Sequence, residues 1–577
     1  MKKILNIVML SCIALLTVTG CDDFLDADNK SNVTSDEYFN TEAGFETLIN
    51  YAYAQLKPLY NASPTMQCSG TDMYHRGRNS MPDTDLQIYS SLNAENGTVN
   101  SFYVNCYRGI QAANCALFYA NSVDADDNLV SKRSQEARFI RAYFYFELVQ
   151  HFGGVAIVDE YISSIVTTMP RNTLEETYSF IISEMEAIVG SGSALEETDL
   201  NGRITKQAVY HYLAKVYLTA GWDLNNNTYF TTAANYAQQA IALGSGLDET
   251  YADLWDPSRD NMHQEVVFAL QYDRISSGAA GLSETSNGNQ LQTPFGSYYG
   301  GEENHYKYSS SNFCPSEHLM YLYEPGDSRY EATYMTKLYC TDVNDQYSGD
   351  YYAPYNGTAE DDDISYYYPA HYQSSADDIA AWRNEDLAHR ASTKVIPMTS
   401  ITLSTDEVTP YTYYEAATLD VFGLTCIRKF DDPESSFNNN TCYRDIVLAR
   451  LGETYLIAAE AYLEAGGHQA EVDQMVNTVR ERAYRGSGLT ASEYEKSNVD
   501  LDDILDERAL ELAGERLRWC DLRRTKKLVE YNIAYNPELI NGENSFNGAD
   551  GNQKLYRPIP QNAINLNDAE IEQNPGY

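Results

Sequence analysis

Three kinds of side chain in this sequence could do chemistry: one cysteine placed for acylation, aromatic residues set among hydrogen-bonding groups, and a large excess of carboxylates. The cysteine comes first. Lys2 and Lys3 form a basic start, residues 4–18 are apolar, and Val18-Thr19-Gly20-Cys21 puts small residues directly before a thiol. An apolar run of that length suits a signal peptide and is too short for a permanent membrane helix, which needs about 20 residues. Small residues ahead of a cysteine mark a lipobox, so residues 1–20 read as a lipoprotein-type signal peptide and Cys21 as the lipid attachment point. The expectation is an exported chain held to a membrane by its lipid alone.

The aromatic candidates are built for polyols. A sugar ring presents apolar C–H faces between hydroxyls, so flat aromatic rings flanked by Asp, Asn or Arg can stack on it and hydrogen-bond its edge. Three stretches offer that mixture: Asp72, Tyr74 and Arg76; Phe295-Gly296-Ser297-Tyr298-Tyr299; and Ala381-Trp382-Arg383. Trp382 is the strongest of these. Of the four tryptophans, Trp222 and Trp519 fall in helical segments and Trp255 near a helix end, leaving Trp382 in a loop-rich stretch. The expected ligand contacts are therefore Trp382, Tyr74, Tyr298, Tyr299, Asp72, Arg76 and Arg383.

Catalytic signatures are missing: no H-E-x-x-H, G-x-S-x-G, phosphate-binding loop or dinucleotide glycine motif occurs. No enzymatic activity and no cofactor are expected. Apart from Cys12 and Cys21, none of the ten cysteines stands in a C-x-x-C pair or near a histidine at zinc-ligand spacing, so no metal is expected. Cys426 and Cys442 could close a disulfide loop, or remain buried thiols. Asp124-x-Asp126-x-Asn128 starts like a calcium loop but has Leu129 where glycine is needed, and reads as a solvated turn. Asp361-Asp362-Asp363 reads as a surface charge run.

Charge narrows the partners. Forty Lys+Arg against 83 Asp+Glu give a formal net charge of -43. Phosphate backbones require clustered positive charge, which excludes nucleic acid. Anionic head groups are repelled as well, leaving acyl chains to hold the membrane. Neutral or basic ligands are favoured over anionic ones.

The elements that must position these residues are mostly helices. Thr173-x-x-Glu176 is a capping box, followed by Leu174, Tyr178, Ile181, Ile182, Met185 and Ile188 at helical spacing. Residues 205–220 and 231–243, then 451–464 and 472–483, are rich in Ala interleaved with large residues, the device of tetratricopeptide hairpins. Segments 501–514 and 515–529 continue it. Between 298 and 368 the chain holds sixteen of its 49 tyrosines with little helical periodicity. The expected fold is mainly α: a tetratricopeptide-like helical-hairpin scaffold over about 35–270 and 440–530, carrying a loop-rich, Tyr-rich ligand-binding lobe over about 271–439, all within one unit from 21 to 577.

Several stretches resemble the SusD/RagB family of outer-membrane nutrient-binding lipoproteins. The similar blocks are Cys21-Asp22-Asp23-Phe24-Leu25-Asp26; Ser35-Asp36-Glu37-Tyr38-Phe39; Arg171-Asn172-Thr173-Leu174-Glu175-Glu176; Gly202-Arg203-Ile204-Thr205-Lys206; Arg450-Leu451-Gly452-Glu453-Thr454-Tyr455; Glu507-Arg508-Ala509-Leu510-Glu511-Leu512 through Arg524; Arg557-Pro558-Ile559-Pro560; and the final Gln573-Asn574-Pro575-Gly576-Tyr577. The resemblance implies a SusD-like, tetratricopeptide-type scaffold at the cell outer membrane, facing the exterior. It further implies capture of oligosaccharides and delivery to a SusC-like TonB-dependent transporter, with Asp22-Asp23 as an export signal. Peptide capture of the RagB kind, a lipoprotein glycosidase and a periplasmic assembly scaffold are the alternatives. The blocks themselves read as scaffold, with Glu507 expected to pair with Arg516 or Arg518.

Overall fold

Alanine opposite aromatic side chains lets helices approach closely, and the computed structural model shows this along most of its scaffold. It describes residues 34–577 apart from 62, 79–82, 260–262, 274–287, 298, 300–306, 308, 341–348, 360–363, 399–400, 404–405, 435–441 and 540. The longer helices among the described residues are α1 (Glu42–Ala54), α2 (Gly97–Tyr119), α3 (Asp127–Phe152), α4 (Leu174–Val189), α5 (Lys206–Leu224), α6 (Asn227–Leu243), α7 (Ala376–Glu385), α8 (Leu451–Ala465), α9 (Gln469–Ala483) and α10 (Leu501–Glu511). Each of α2 through α5 lies against the next, α6 lies against α8, and α8 against both α9 and α10. This is the antiparallel, tetratricopeptide-type array that the Ala-rich segments imply.

Local chemistry starts and stops these helices where expected. Thr173 accepts from the Glu176 N–H while the Glu176 carboxylate accepts from the Thr173 N–H, at 3.2 and 2.8 Å. Thr205 caps α5, which ends at Asn225 in the left-handed region with φ 50°. Asp126 caps α3 through the Asn128 and Leu129 N–H groups, so the calcium-like stretch is a helix cap. Ala233, Ala234, Ala237 and Ala240 of α6, and Ala458, Ala459 and Ala461 of α8, are buried. Small side chains on both surfaces let α6 serve as the joint between the two parts of the scaffold.

That joint spans the inserted lobe. Val266–Leu270, buried throughout, pairs antiparallel with Ile446–Arg450, so the chain leaves for the lobe and returns from it along one short ladder. Inside the lobe are short helices, turns and a three-stranded sheet of Lys337–Tyr339, Ile364–Tyr367 and Lys394–Val395. The cysteines Cys426 and Cys442 are free buried thiols rather than a disulfide. Asp361-Asp362-Asp363 lies outside the described residues.

Two expectations are corrected. The segment 515–529 is not one helix but breaks into Arg518–Arg524 and Leu528–Tyr535, because Arg516 and Lys526 both take positive φ, 67° and 62°. Glu507 pairs with Arg329 at 2.6 Å and Arg480 at 2.9 Å, not with Arg516 or Arg518. Arg518 is instead held by Asp72, and Arg516 donates to the Tyr60 carbonyl.

Candidate functional site

Where the lobe folds back on the scaffold, a groove of about 1410 Å³ opens. Its lining comes from distant parts of the chain: the short helices Tyr251–Trp255, Arg329–Thr333 and Ala353–Asn356, the turn His371–Gln373, and the returning segment from Arg428 to Arg444.

The floor is fixed by buried ions. Arg329 is fully buried and is held by the Asp327 carboxylate at 2.7 Å. It also donates to Glu507 and Glu511 of α10, at 2.6 and 3.2 Å. A guanidinium with three carboxylate partners ties the groove to the scaffold and leaves little freedom at Asp327 and Tyr330. Burial alone would raise the Glu511 carboxyl; Arg482, Arg450 and Arg329 around it outweigh this and hold it far below the usual carboxylate range. Trp255 and Tyr330 complete the floor, nearly inaccessible.

The walls are the half-buried tyrosines Tyr355, Tyr372 and Tyr443. Tyr355 is clamped at its edge, its hydroxyl donating to Asp431 at 2.8 Å and accepting from Arg428 Nε at 3.1 Å. Burial, reinforced by Asp431, pushes its phenol well above the ordinary value. Burial also pushes Tyr372 up to about 12, with Asp327 and Glu331 adding to the rise. Both rings thus stay neutral at physiological pH. The rim adds Asp253, Glu331, Asn356 and Gln373, a set of carboxylates and amides that can take and give hydrogen bonds to hydroxyls. Aromatic faces above a rigid floor, edged by such groups, form a polyol-binding arrangement.

None of the described candidates from the sequence lines this groove. Asp72, expected at a ligand, is corrected to core: it is fully buried and accepts from Arg518 Nη2 at 2.6 Å and Nε at 2.9 Å. Tyr74 is likewise core, its hydroxyl accepting from the Gly514 N–H at 2.7 Å. Tyr299 is fully buried, stacked on Phe422 with its hydroxyl donating to the Leu424 carbonyl at 3.0 Å. These three leave no face for a ligand. Arg76 is half exposed but engaged by Glu538 at 3.1 Å and the Tyr414 hydroxyl at 3.0 Å. Trp382 lies on helix α7 rather than on a loop, its ring stacked on Tyr367 at 4.3 Å with the Arg390 guanidinium 4.7 Å from its centre. Arg383 donates to the Thr393 carbonyl at 3.1 Å. Tyr298 and Cys21 lie outside the described residues.

Of the tyrosines that line the groove, Tyr330 and Tyr355 fall in the Tyr-rich stretch and Tyr272, Tyr372 and Tyr443 outside it, and nothing in the sequence separates them from their many neighbours. A second, apolar cleft of about 890 Å³ lies on the scaffold, lined by Leu48 and Tyr51 of α1, Tyr103, Val104 and Tyr107 of α2, and Leu566.

A tetratricopeptide-type helical array with a rigid, tyrosine-walled groove on an inserted lobe defines the class: a helical-repeat scaffold carrying a groove where its lobe folds back. The chain belongs to the SusD family, whose model matches residues 264–577, and a second model, described as starch-binding associating with outer membrane, matches residues 23–218. SusD-like protein P2 of Formosa agariphila is 25% identical over 584 residues, covering 98% of this chain and 98% of the relative. A SusD-like protein of Bacteroides ovatus is 25% identical over 46% of this chain and 50% of its own length. The fold is shared with a SusD homolog from Bacteroides thetaiotaomicron, at TM-score 0.69 and 19% identity over 95% of this chain and 100% of that one. It is also shared with surface glycan-binding protein A from Bacteroides thetaiotaomicron, solved with laminarihexaose, at TM-score 0.63 and 19% identity over 93% and 100%. A laminarin binding SusD-like protein matches at TM-score 0.64 and 21% identity, again over 93% and 100%.

Proposed function

We propose that this protein is a surface-exposed, non-enzymatic lipoprotein that binds oligosaccharides in the tyrosine-walled groove and delivers them to a SusC-like TonB-dependent transporter in the outer membrane. The observation that carries the binding reading is the pairing of half-buried rings, Tyr355, Tyr372 and Tyr443, with a rim of carboxylates and amides. The saccharides named for two structural relatives support it. Supporting the membrane side are the lipobox at Cys21 and the apolar cleft beside α1, the first long helix after the expected anchor. No helix among the described residues is long and apolar enough to cross a membrane.

Calorimetric titration of the full chain with laminarin, starch and xylan oligosaccharides tests the binding reading. Losing a central aromatic contact typically costs about 2 kcal/mol or more, roughly thirty-fold in affinity. Tyr372→Ala and Tyr355→Ala are each expected to lose binding by about that factor, with melting curves confirming that the variants are folded. Trp382→Ala, outside the groove, is expected to bind within about two-fold of wild type by the same scale. Equal losses at Trp382 and Tyr372 would move the site to α7. The carboxylate rim also suits a cationic peptide, and titration with oligolysine decides against or for that alternative.

A further inference from the structure

The charge lining the groove is one-sided. Seven carboxylates face two arginines, and both arginines are tied into the protein, Arg444 through Nη1 and Arg428 through Nε. Arg428 Nε is bonded to the Tyr355 hydroxyl, and its guanidinium lies 4.9 Å from that ring's centre. Arg444 is buried and donates to the backbone carbonyls of Trp255, Lys429 and Asp431 at 2.9, 3.3 and 3.2 Å. Below the floor, Lys307 is enclosed with Asp431 and Lys429 with Glu515.

The carboxylates are placed differently. Asp327 is matched by Arg329, and Asp432 accepts the Tyr443 N–H at 2.8 Å. Glu331, however, is exposed on the rim and has no ion pair among the described residues. Asp253 is only 3.9 Å from Arg259, whose shorter contact, 2.9 Å, is with Glu249. A saccharide hydroxyl can donate to such carboxylates in charge-assisted hydrogen bonds. A sulfate or uronate group has nothing to donate to them and would meet seven carboxylates against two arginines.

We infer that the groove selects uncharged oligosaccharides and rejects sulfated or uronate-bearing ones, with Glu331 and Asp253 setting the rejection. This rests on the reading of the groove as the saccharide site.

The test uses matched pairs on one backbone: laminarin, starch and xylan, each with its sulfated derivative, and polygalacturonate beside them, titrated into the full chain. The neutral member is expected to bind, and the sulfated member to bind at least about ten-fold more weakly at low salt. Raising salt to about 0.5 M should shrink that gap, because the Debye length falls to a few ångströms. The double variant Glu331→Gln with Asp253→Asn should shrink it too, and both substitutions keep side-chain size at accessible positions. An anionic polymer binding as tightly as its neutral partner, in a manner lost in Tyr372→Ala, would overturn the selectivity and leave the groove as the site. Saccharide binding indifferent to Tyr372→Ala, or no binding by any probe, would overturn the groove reading itself.

Discussion

Glu147 shows how one half-buried residue sets a pH dependence. It lies in α3 against a small internal cavity with Tyr60, Tyr143 and Lys215. Burial raises its carboxyl from 4.5 to about 7, although Lys215 and hydrogen bonds from Tyr60 and Tyr143 pull the other way. The folded chain therefore keeps a proton that the unfolded chain releases between those values. Where the folded state binds more protons, stability falls as pH rises, so this group's cost is complete above about pH 7 and absent below about pH 4. Glu147→Gln removes it. Urea unfolding is expected to show a gain approaching 3 kcal/mol at about pH 8 and almost none at about pH 4. An equal gain at both pH values would mean that packing, not ionisation, is responsible. This residue was invisible as a special case in the sequence, where Phe144-Tyr145-Phe146-Glu147 reads only as an apolar helix face with one polar member.

At the scale of elements, a sharp constraint is the approach of α2 to α3. A Cβ added at Gly109 would stand 2.0 Å from the Phe144 ring, and both residues are buried. Gly109→Ala gains a little helix propensity, about 1 kcal/mol, but forces two long helices apart. Overpacking of this kind costs about 1–3 kcal/mol or more, so a net loss is expected in denaturant melts, with rescue when Phe144→Leu is combined with it. A glycine in the middle of a 23-residue helix could have been flagged from sequence; its partner could not. The helices themselves were legible because their signals are local. Thr173-x-x-Glu176, the Thr205 cap and the Ala-rich faces act within a few residues, and the structure uses each of them. The break at Arg516 and Lys526 was not legible, since neither is a residue type that announces a left-handed backbone. The groove was least legible. Trp255, Glu331, Tyr355, Tyr372 and Tyr443 meet only after the lobe has folded back on the scaffold, whereas a sequence displays only aromatic and polar residues adjacent in the chain. Adjacency selected Asp72 and Tyr74, which the fold uses as core.

Across the whole molecule, lobe and scaffold behave as one body because their junction is ionic as well as apolar. Arg329 from the lobe, Arg450 from the ladder and Arg482 from α9 converge on Glu511 of α10, with Glu265 bridging Arg450 and Arg482 at 3.0 and 2.9 Å. Such a junction resists hinge motion, since separating it would expose unpaired charges to a partly apolar interior. If the groove delivers a ligand as proposed, a junction this firm favours movement of the entire protein over bending within it. The surface that could engage a membrane partner is the apolar cleft of α1 and α2, where Tyr51 and Leu566 stand largely exposed. It shares no lining residue with the groove. Tyr51→Glu combined with Leu566→Glu puts two charges on exposed positions of that cleft, where the fold tolerates them. If the cleft docks the transporter, gentle detergent extraction of cells carrying the double variant should recover the lipoprotein without its barrel, while wild type brings the barrel along. Saccharide affinity of the purified variant should be unchanged, which separates a docking defect from a folding or binding one. Full recovery of the barrel with the double variant would exclude this cleft from the interface.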